Sequence, residues 1–377
     1  MESFVSRRGN QEGTIRQRAE NRWQGSITFD GQRHWVSGES QAEVRRLLGE
    51  LRTQHGIGEL VRPSKVTLAQ HLEVWMGEGA ADWKPKTIHV YAYVVRVYLD
   101  PAMGNIPLQR LTPAMVSGWY SRWRKERAVT GGTILNVHRV LHRALTIAVR
   151  QGLVSRNVTD ALEPPKARRK RPDLWSAEET AGFVSTLPCD QWGALWAILL
   201  GSGCRLGEAI ALRWDDLDRD TGTVSIERST GWVGRFPVTG QPKTQSGTRS
   251  VTLPPFALEV LRRWKPSQTR LQLAQGVDWR GDGRIITMPD GALPSPWDSR
   301  NALAKSRTAL GLPHIRQHDM RHLHASLLLA EGLPLTVVSA RLGHGSPAIT
   351  AAIYSHALKG HDGAAATAIE AAMRVAR

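Results

Sequence analysis

The sequence predicts a multidomain α+β protein that is mainly helical, and three observations predict it. Short alternating segments between residues 13 and 36, with Asp30-Gly31 between two of them, read as a small β-sheet. Capped segments with apolar residues at helical spacing fill residues 65–155. A further helical region from Ser176 onward is interrupted by three strand-like runs between residues 223 and 253. A length of 377 residues leaves room for two or three domains, each able to bury a core of its own.

The formal charge of +16 and a pI near 10.5 point to a polyanionic partner, most often nucleic acid. The basic surplus is mostly arginine, a bias that a GC-rich genome alone can produce. Cys189 and Cys204 are the only cysteines, so neither a disulfide framework nor a Cys-rich zinc site is indicated. No apolar run reaches membrane-spanning length, and Met1–Asn10 lacks the apolar core of a signal peptide. A cytoplasmic protein in a reducing interior is the expectation.

In chain order, residues 1–12 read as a disordered polar tail. Thr14–Arg18, Trp23–Phe29 and Arg33–Val36 read as strands, and Ser40 with Glu43 forms a capping box that opens a helix to about His55. Arg16, Arg18, Arg22 and Arg33 lie on these strands or their turns. A β-ribbon with arginines on one face can enter the major groove, while a small sheet with a solvated basic face gives the same pattern. Gly56–Ser64 reads as a linker. Thr67 can cap Leu68–Met76, and Lys86–Leu99 keeps helical spacing through Val90, Val94 and Val97. Thr112-Pro113 opens a helix to about Glu126, and a long helix from Gly132 to Gln151 ends at Gly152. Trp75, Trp83, Trp119 and Trp123 read as core rather than base-stacking residues. The polar faces carry Lys84, Lys86, Arg122, Arg124, Lys125, Arg139 and Arg143, suited to phosphate contact or to plain solvation. Lys166, Arg168, Arg169, Lys170 and Arg171 stand between Pro165 and Pro172, as an extended basic linker lying along a duplex or as a solvated tether.

Ser176 with Glu179 makes another capping box. The apolar helix Trp192–Leu200 breaks at Gly201-Ser202-Gly203, and a new helix begins near Arg205. Arg205 and Glu208 are three apart on one face, where the carboxylate can orient the guanidinium or form an ordinary surface pair. Thr223–Glu227, Gly234–Val238 and Arg249–Leu253 read as three strands of one antiparallel sheet, with Lys243 in the turn before the last. Such a turn lets a lysine reach into a site and withdraw, although most turn lysines have no role. Helices are expected over Phe256–Trp264 and Pro296–Leu310. His318 and Arg321 share a helix face. Leu327–Ala330, the turn at Gly332 and Val337–Leu342 give two more helical segments, His344 follows Gly343, and Tyr354 sits on a short helix. Singly, each of these residues is more often structural; their joint occurrence carries the weight.

The motifs G-C-R-L-G-E (203–208), H-D-M-R-H (318–322), L-G-H (342–344) and Y-S-H (354–356) resemble those of tyrosine site-specific recombinases of the phage integrase type. The resemblance covers nearly the whole chain. Residues 13–60 resemble an arm-type DNA-binding domain and 65–155 a helical, SAM-like core-binding domain. Residues 156–174 form the basic linker, and 175–377 resemble the catalytic domain. Met320 stands where leucine is usual, a volume-conserving swap.

The resemblance implies that Tyr354 attacks a scissile phosphate to give a 3′-phosphotyrosyl enzyme. Arg205 and Arg321 would clamp the non-bridging oxygens, Lys243 would protonate the 5′-oxygen, and His344 would hydrogen-bond a non-bridging oxygen. His318 would assist proton transfer or position the phosphate, with Glu208 in support of Arg205. No metal or nucleotide cofactor is implied. The implied partners are double-stranded DNA with core and arm attachment sites, a homotetramer acting through a Holliday junction, a DNA-bending host factor and an excisionase. The implied location is the nucleoid of a bacterial host. The tail Ala364–Arg377 would dock on a neighbouring subunit or pack in cis. The rival readings are a resolvase of chromosome or plasmid dimers, a type IB topoisomerase and a non-catalytic DNA-binding regulator.

Overall fold

Alternation near the N-terminus builds β1 (Thr14–Ala19), β2 (Arg22–Phe29) and β3 (Gln32–Gly38), an antiparallel sheet in the order β1-β2-β3. Phe29 pairs with Gln32, and Ser26 lies opposite both Thr14 and Trp35. The two-residue period puts Ile15, Ile27 and Val36 on one face, where Val44 and Leu48 of α1 (Gln41–Gly56) cover them. In this computed structural model the described residues are 13–29, 31–56, 61, 63–126, 128–167, 173–241, 245–354, 367, 369–370 and 373. The expected tail at 1–12, Arg168, Arg169, Lys170, Arg171, Lys243 and most of Ala364–Arg377 lie outside them. The chain divides into two compact units between residues 169 and 170.

The rest of the first unit is helical. Thr67 and Gln70 cap α2 (Leu68–Gly79) reciprocally. α3 (Pro85–Val94) passes through one π-helical turn at Val95–Leu99 into α4 (Asp100–Met103). α5 (Pro113–Glu126) and α6 (Gly131–Arg150) complete the bundle. Trp75 and Trp123 are buried in its core, with Trp83 and Trp119 packed against the edge, so all four tryptophans serve packing. Val158 and Leu162, at the start of the expected basic linker, pack on the same core. There the Asn157 amide donates to His142 O and Thr146 Oγ1.

The second unit is built around α8 (Gln191–Ser202), apolar on every side and capped at its start by Asp190. α7 (Ala177–Ser185) precedes it and α9 (Leu206–Ala211) follows. β4 (Leu217–Asp218), β5 (Thr223–Ile226), β6 (Ser229–Val233), β7 (Phe236–Gly240) and β8 (Arg249–Thr252) come next. The remaining helices are α10 (Pro255–Gln275), α11 (Pro296–Ala309), α12 (Gln317–Ala330), α13 (Leu335–Leu342) and α14 (Pro347–Tyr354). The expectation of one sheet from three runs needs correction. The sheet is β4-β5-β8, and the middle run belongs to a separate β6-β7 hairpin. β5 pairs directly with β8, Val224 against Val251, and this leaves the intervening chain to fold on itself. β7 is exposed along its whole length, so no buried face draws it into the sheet. The helix expected to end at Trp264 runs on to Gln275 through Pro266. Buried Gln268 holds its second half by donating to Arg284 O and Thr287 Oγ1.

Candidate active site

The site is assembled around Arg321. α12 begins at a cap in which Asp319, itself buried, accepts from the backbone N–H and the guanidinium of Arg316. This fixes the turn that bears His318 and Arg321. Arg321 is 2% exposed, and it donates from Nη1 to Gly203 O at 2.8 Å and from Nη2 to Leu342 O at 2.6 Å. One guanidinium thus joins the G-C-R-L-G-E turn, the H-D-M-R-H helix and the L-G-H turn. Burial pushes the Arg321 pKa down to about 10, with Arg205 the next cause, and the group stays protonated at neutral pH. Both turns need glycine. Gly203 has φ +65°, and a Cβ there would come within 2.5 Å of the His324 ring; Gly343 has φ +68°, and its Cβ would meet Ser246 O at 2.7 Å.

Arg205 is the residue from which α9 starts. Its backbone N–H and Nη1 donate to the two carboxylate oxygens of Glu208 at 3.0 and 2.8 Å. The Glu208 side chain is 2% exposed and that of Arg205 42%. The carboxylate is therefore inside and the guanidinium turns outward, unlike an ordinary surface pair. Arg249 is the residue the motif reading did not single out. Its side chain is 8% exposed, and Nη2 donates to Glu208 Oε2 at 3.0 Å. Nε donates to Arg341 O at 2.7 Å and Nη1 to Gly247 O at 2.9 Å. A signal was present: Arg249 alternates with buried Val251 and Leu253, which sets it on the inward face. Burial pushes the Glu208 pKa up, but Arg249 and then the Arg205 bonds outweigh it, and the net direction is down.

The imidazoles are neutral at neutral pH. His344 Nδ1 shares a 2.7 Å hydrogen bond with the buried Thr350 Oγ1 in the first turn of α14. This ties L-G-H to the helix that ends at Tyr354. Burial, then Arg321 and Arg205, lowers the His344 pKa to about 4. His318 keeps an exposed edge, yet the atoms crowded about its ring, followed by Arg321, hold its pKa below the usual value. Its ring meets that of His322 edge-on at 5.0 Å. A further histidine, His324, donates from Nδ1 to Leu200 O at 2.6 Å and accepts from Arg341 Nε at 3.1 Å. Arg341 in turn donates to Gly201 O and Thr252 O. Lys243 and the Tyr354 side chain lie outside the described residues. Two guanidiniums held by protein acceptors, beside neutral imidazoles, suit an anion with oxygens at tetrahedral or trigonal angles.

The other basic candidates are spread over the first unit. Arg16, Arg18 and Arg33 lie on the sheet face turned away from α1, with Arg22 at the start of β2. Arg18 Nε donates to Gln24 Oε1, and Arg33 Nε to Ser26 Oγ. The Arg33 guanidinium lies 4.7 Å from the ring of Trp35, which is 51% exposed. Lys84, Lys86, Arg139, Arg143 and Lys166 are exposed. Arg143 donates to Tyr91 Oη at 3.1 Å and rests over Trp83.

Residues 192–361 match the model of the Phage integrase family, and residues 67–124 match that of the Phage integrase, N-terminal SAM-like domain. The ICEBs1 integrase of Bacillus subtilis (strain 168) is 26% identical over 84% of this chain and 84% of its own length. The fold resembles the Tn1549 transposon integrase in complex with transposon right end DNA, with a TM-score of 0.65 and 19% identity over 76% of this chain and 94% of that one. It also resembles the lambda integrase tetramer bound to a Holliday junction, with a TM-score of 0.58 and 18% identity over 88% of this chain and 96% of that one.

Proposed function

This chain belongs to the phage integrase family of tyrosine site-specific recombinases, and from that membership and the site geometry we propose how it acts. It cuts and rejoins DNA through a covalent 3′-phosphotyrosine and so integrates or excises a mobile element. The observation that carries the reading is the buried Arg321, which binds three motifs into one cationic site. Tyr354 Oη attacks the scissile phosphorus, the bond to the 5′-oxygen breaks, and Lys243 supplies the proton to the leaving oxygen. Negative charge gathers on the non-bridging oxygens, where Arg205 and Arg321 act as planar, permanently charged forks. His344, with Nδ1 held by Thr350, offers Nε2 to a phosphate oxygen. His318, neutral at pH 7, takes the Tyr354 proton or positions the phosphate. Fixed guanidinium charge does the electrostatic work and the phosphotyrosine keeps the ester bond, so the reaction calls for no metal or nucleotide.

Strand exchange then proceeds in a homotetramer on two duplexes. The arginine face of the N-terminal sheet binds arm sites and the helical region binds core sites, giving a bivalent protein that joins distant DNA segments. A DNA-bending host factor and an excisionase complete the assembly, at the nucleoid of a bacterial cell. The basic sheet favours an integrase over a resolvase of chromosome dimers, which has no use for arm sites. The test is a suicide DNA substrate that carries the protein's own attachment site. Wild type is expected to leave an SDS-resistant protein–DNA adduct and Tyr354→Phe none. No adduct from wild type would leave a non-catalytic DNA binder as the better description.

A further inference from the structure

Arg249 lies where three parts of the site meet. It begins β8, directly after the turn at Gln245–Gly247, whose last carbonyl accepts from Nη1. Its Nε caps the end of α13 through Arg341 O, two residues before Gly343. Its Nη2 reaches Glu208, the carboxylate that holds Arg205. Glu208 therefore accepts from two guanidiniums, one turned toward solvent and one shut inside.

Charge explains why the second guanidinium is needed. A buried carboxylate facing Arg205 alone would cancel most of the field that Arg205 presents to a phosphate. Arg205, Arg249 and Arg321 against Glu208 leave two positive charges, while the pKa values of His318 and His344 are both lowered. A phosphodiester carries one negative charge, and its pentavalent transition state gathers a second. We propose that Arg249 is a positioning residue for DNA cleavage: it offsets and orients Glu208, so that the charge and direction of Arg205 are spent on the phosphate. The proposal rests on the recombinase reading above, and Arg249 itself touches no DNA.

A buried ion pair that only holds the fold is the competing account, and the substrate separates the two. Arg249→Met keeps the apolar volume and removes the charge. Single-turnover cleavage of the suicide substrate is expected to slow about 30-fold, less than for loss of a direct phosphate donor, with attachment-site affinity kept. On a substrate with a neutral methylphosphonate at the scissile position, one charge fewer needs an answer, and the deficit relative to wild type should shrink to within about threefold. The double variant Glu208→Gln/Arg249→Met restores the two net positive charges of Arg205 and Arg321 and should cleave the ordinary substrate faster than Arg249→Met alone. It also decides the matter if the single variant folds poorly. Equal deficits on both substrates, or a double variant no faster than the single one, would overturn the role of Arg249. Absence of any wild-type adduct would instead sink the recombinase reading on which it depends.

Discussion

Arginine is used in two opposite ways in this chain. On the N-terminal sheet, Arg16, Arg18 and Arg33 stand on an exposed face, where Arg18 bonds Gln24 and Arg33 bonds Ser26 and Thr14, all neutral side chains. In the second unit, Arg321, Arg249 and Arg341 are anchored by backbone carbonyls from distant parts of the chain. The first set can turn to meet a polyanion and release its counterions, giving an attraction that salt weakens. The second set is already oriented and desolvated, so its charge acts without reorganisation at the moment of reaction. The difference lies in the acceptors around the residue, not in the residue.

The hardest test of this contrast is Arg321→Lys. The charge survives, but one ammonium cannot reproduce the fork that spans Gly203 O and Leu342 O while also facing a phosphate. Cleavage should fall by on the order of 100-fold or more, and each carbonyl left unanswered should cost about 1–3 kcal/mol of stability. Adduct formation and thermal unfolding on one preparation check both. Retained activity would show that charge alone suffices and that the pinning is incidental.

What the sequence disclosed follows the same division between local and distant partners. The caps at Thr67 and Ser176 were legible because each box closes within four residues. Arg205 with Glu208, and the motif histidines, were legible from spacing and family resemblance. Arg249 was not, because the two acceptors that tie it to the site sit 41 and 92 residues away. The β6-β7 hairpin was misread for a related reason. Whether β5 meets β7 or β8 is decided by burial of Val251 against Val224, not by anything within the run itself. His324, one turn beyond Met320, drew no attention in the sequence, although both of its ring nitrogens are hydrogen-bonded.

His324 offers the next sharpening. Burial holds its pKa at about 4, below the 6.5 of an unperturbed histidine. Between those values the unfolded chain binds a proton that the folded chain refuses. Its contribution is therefore complete above pH 6.5 and is lost as pH falls through 4, in all on the order of 3 kcal/mol. His344 adds to the loss in the same window. His324→Asn keeps a donor for Leu200 O but cannot titrate. The variant should be less stable than wild type at pH 7.5, because Arg341 loses an acceptor, and the gap should narrow by about 2 kcal/mol at pH 5. Denaturant unfolding at the two pH values measures it. A gap independent of pH would mean that the ring is not the buried, neutral group described here.

The smallest effect belongs to the exposed set and tests its half of the contrast. Arg18 bonds Gln24, and Arg33 bonds Ser26 and Thr14, all neutral and at the exposed face, so Arg18→Gln/Arg33→Gln should leave the fold within about 0.5 kcal/mol of wild type. If both meet phosphates of arm-site DNA, the slope of log affinity against log salt should drop by about 0.9 for each, nearly 2 in all. Affinity for arm DNA should weaken most at low salt, where counterion release contributes most. Adduct formation on a core-site suicide substrate should not change, since Arg205, Arg249 and Arg321 of the phosphate site belong to the second unit. An unchanged salt slope would return Arg18 and Arg33 to a solvated face. An equal loss on arm and core substrates would mean that the two sets of arginines are coupled, and that the sheet does more than hold a second DNA segment.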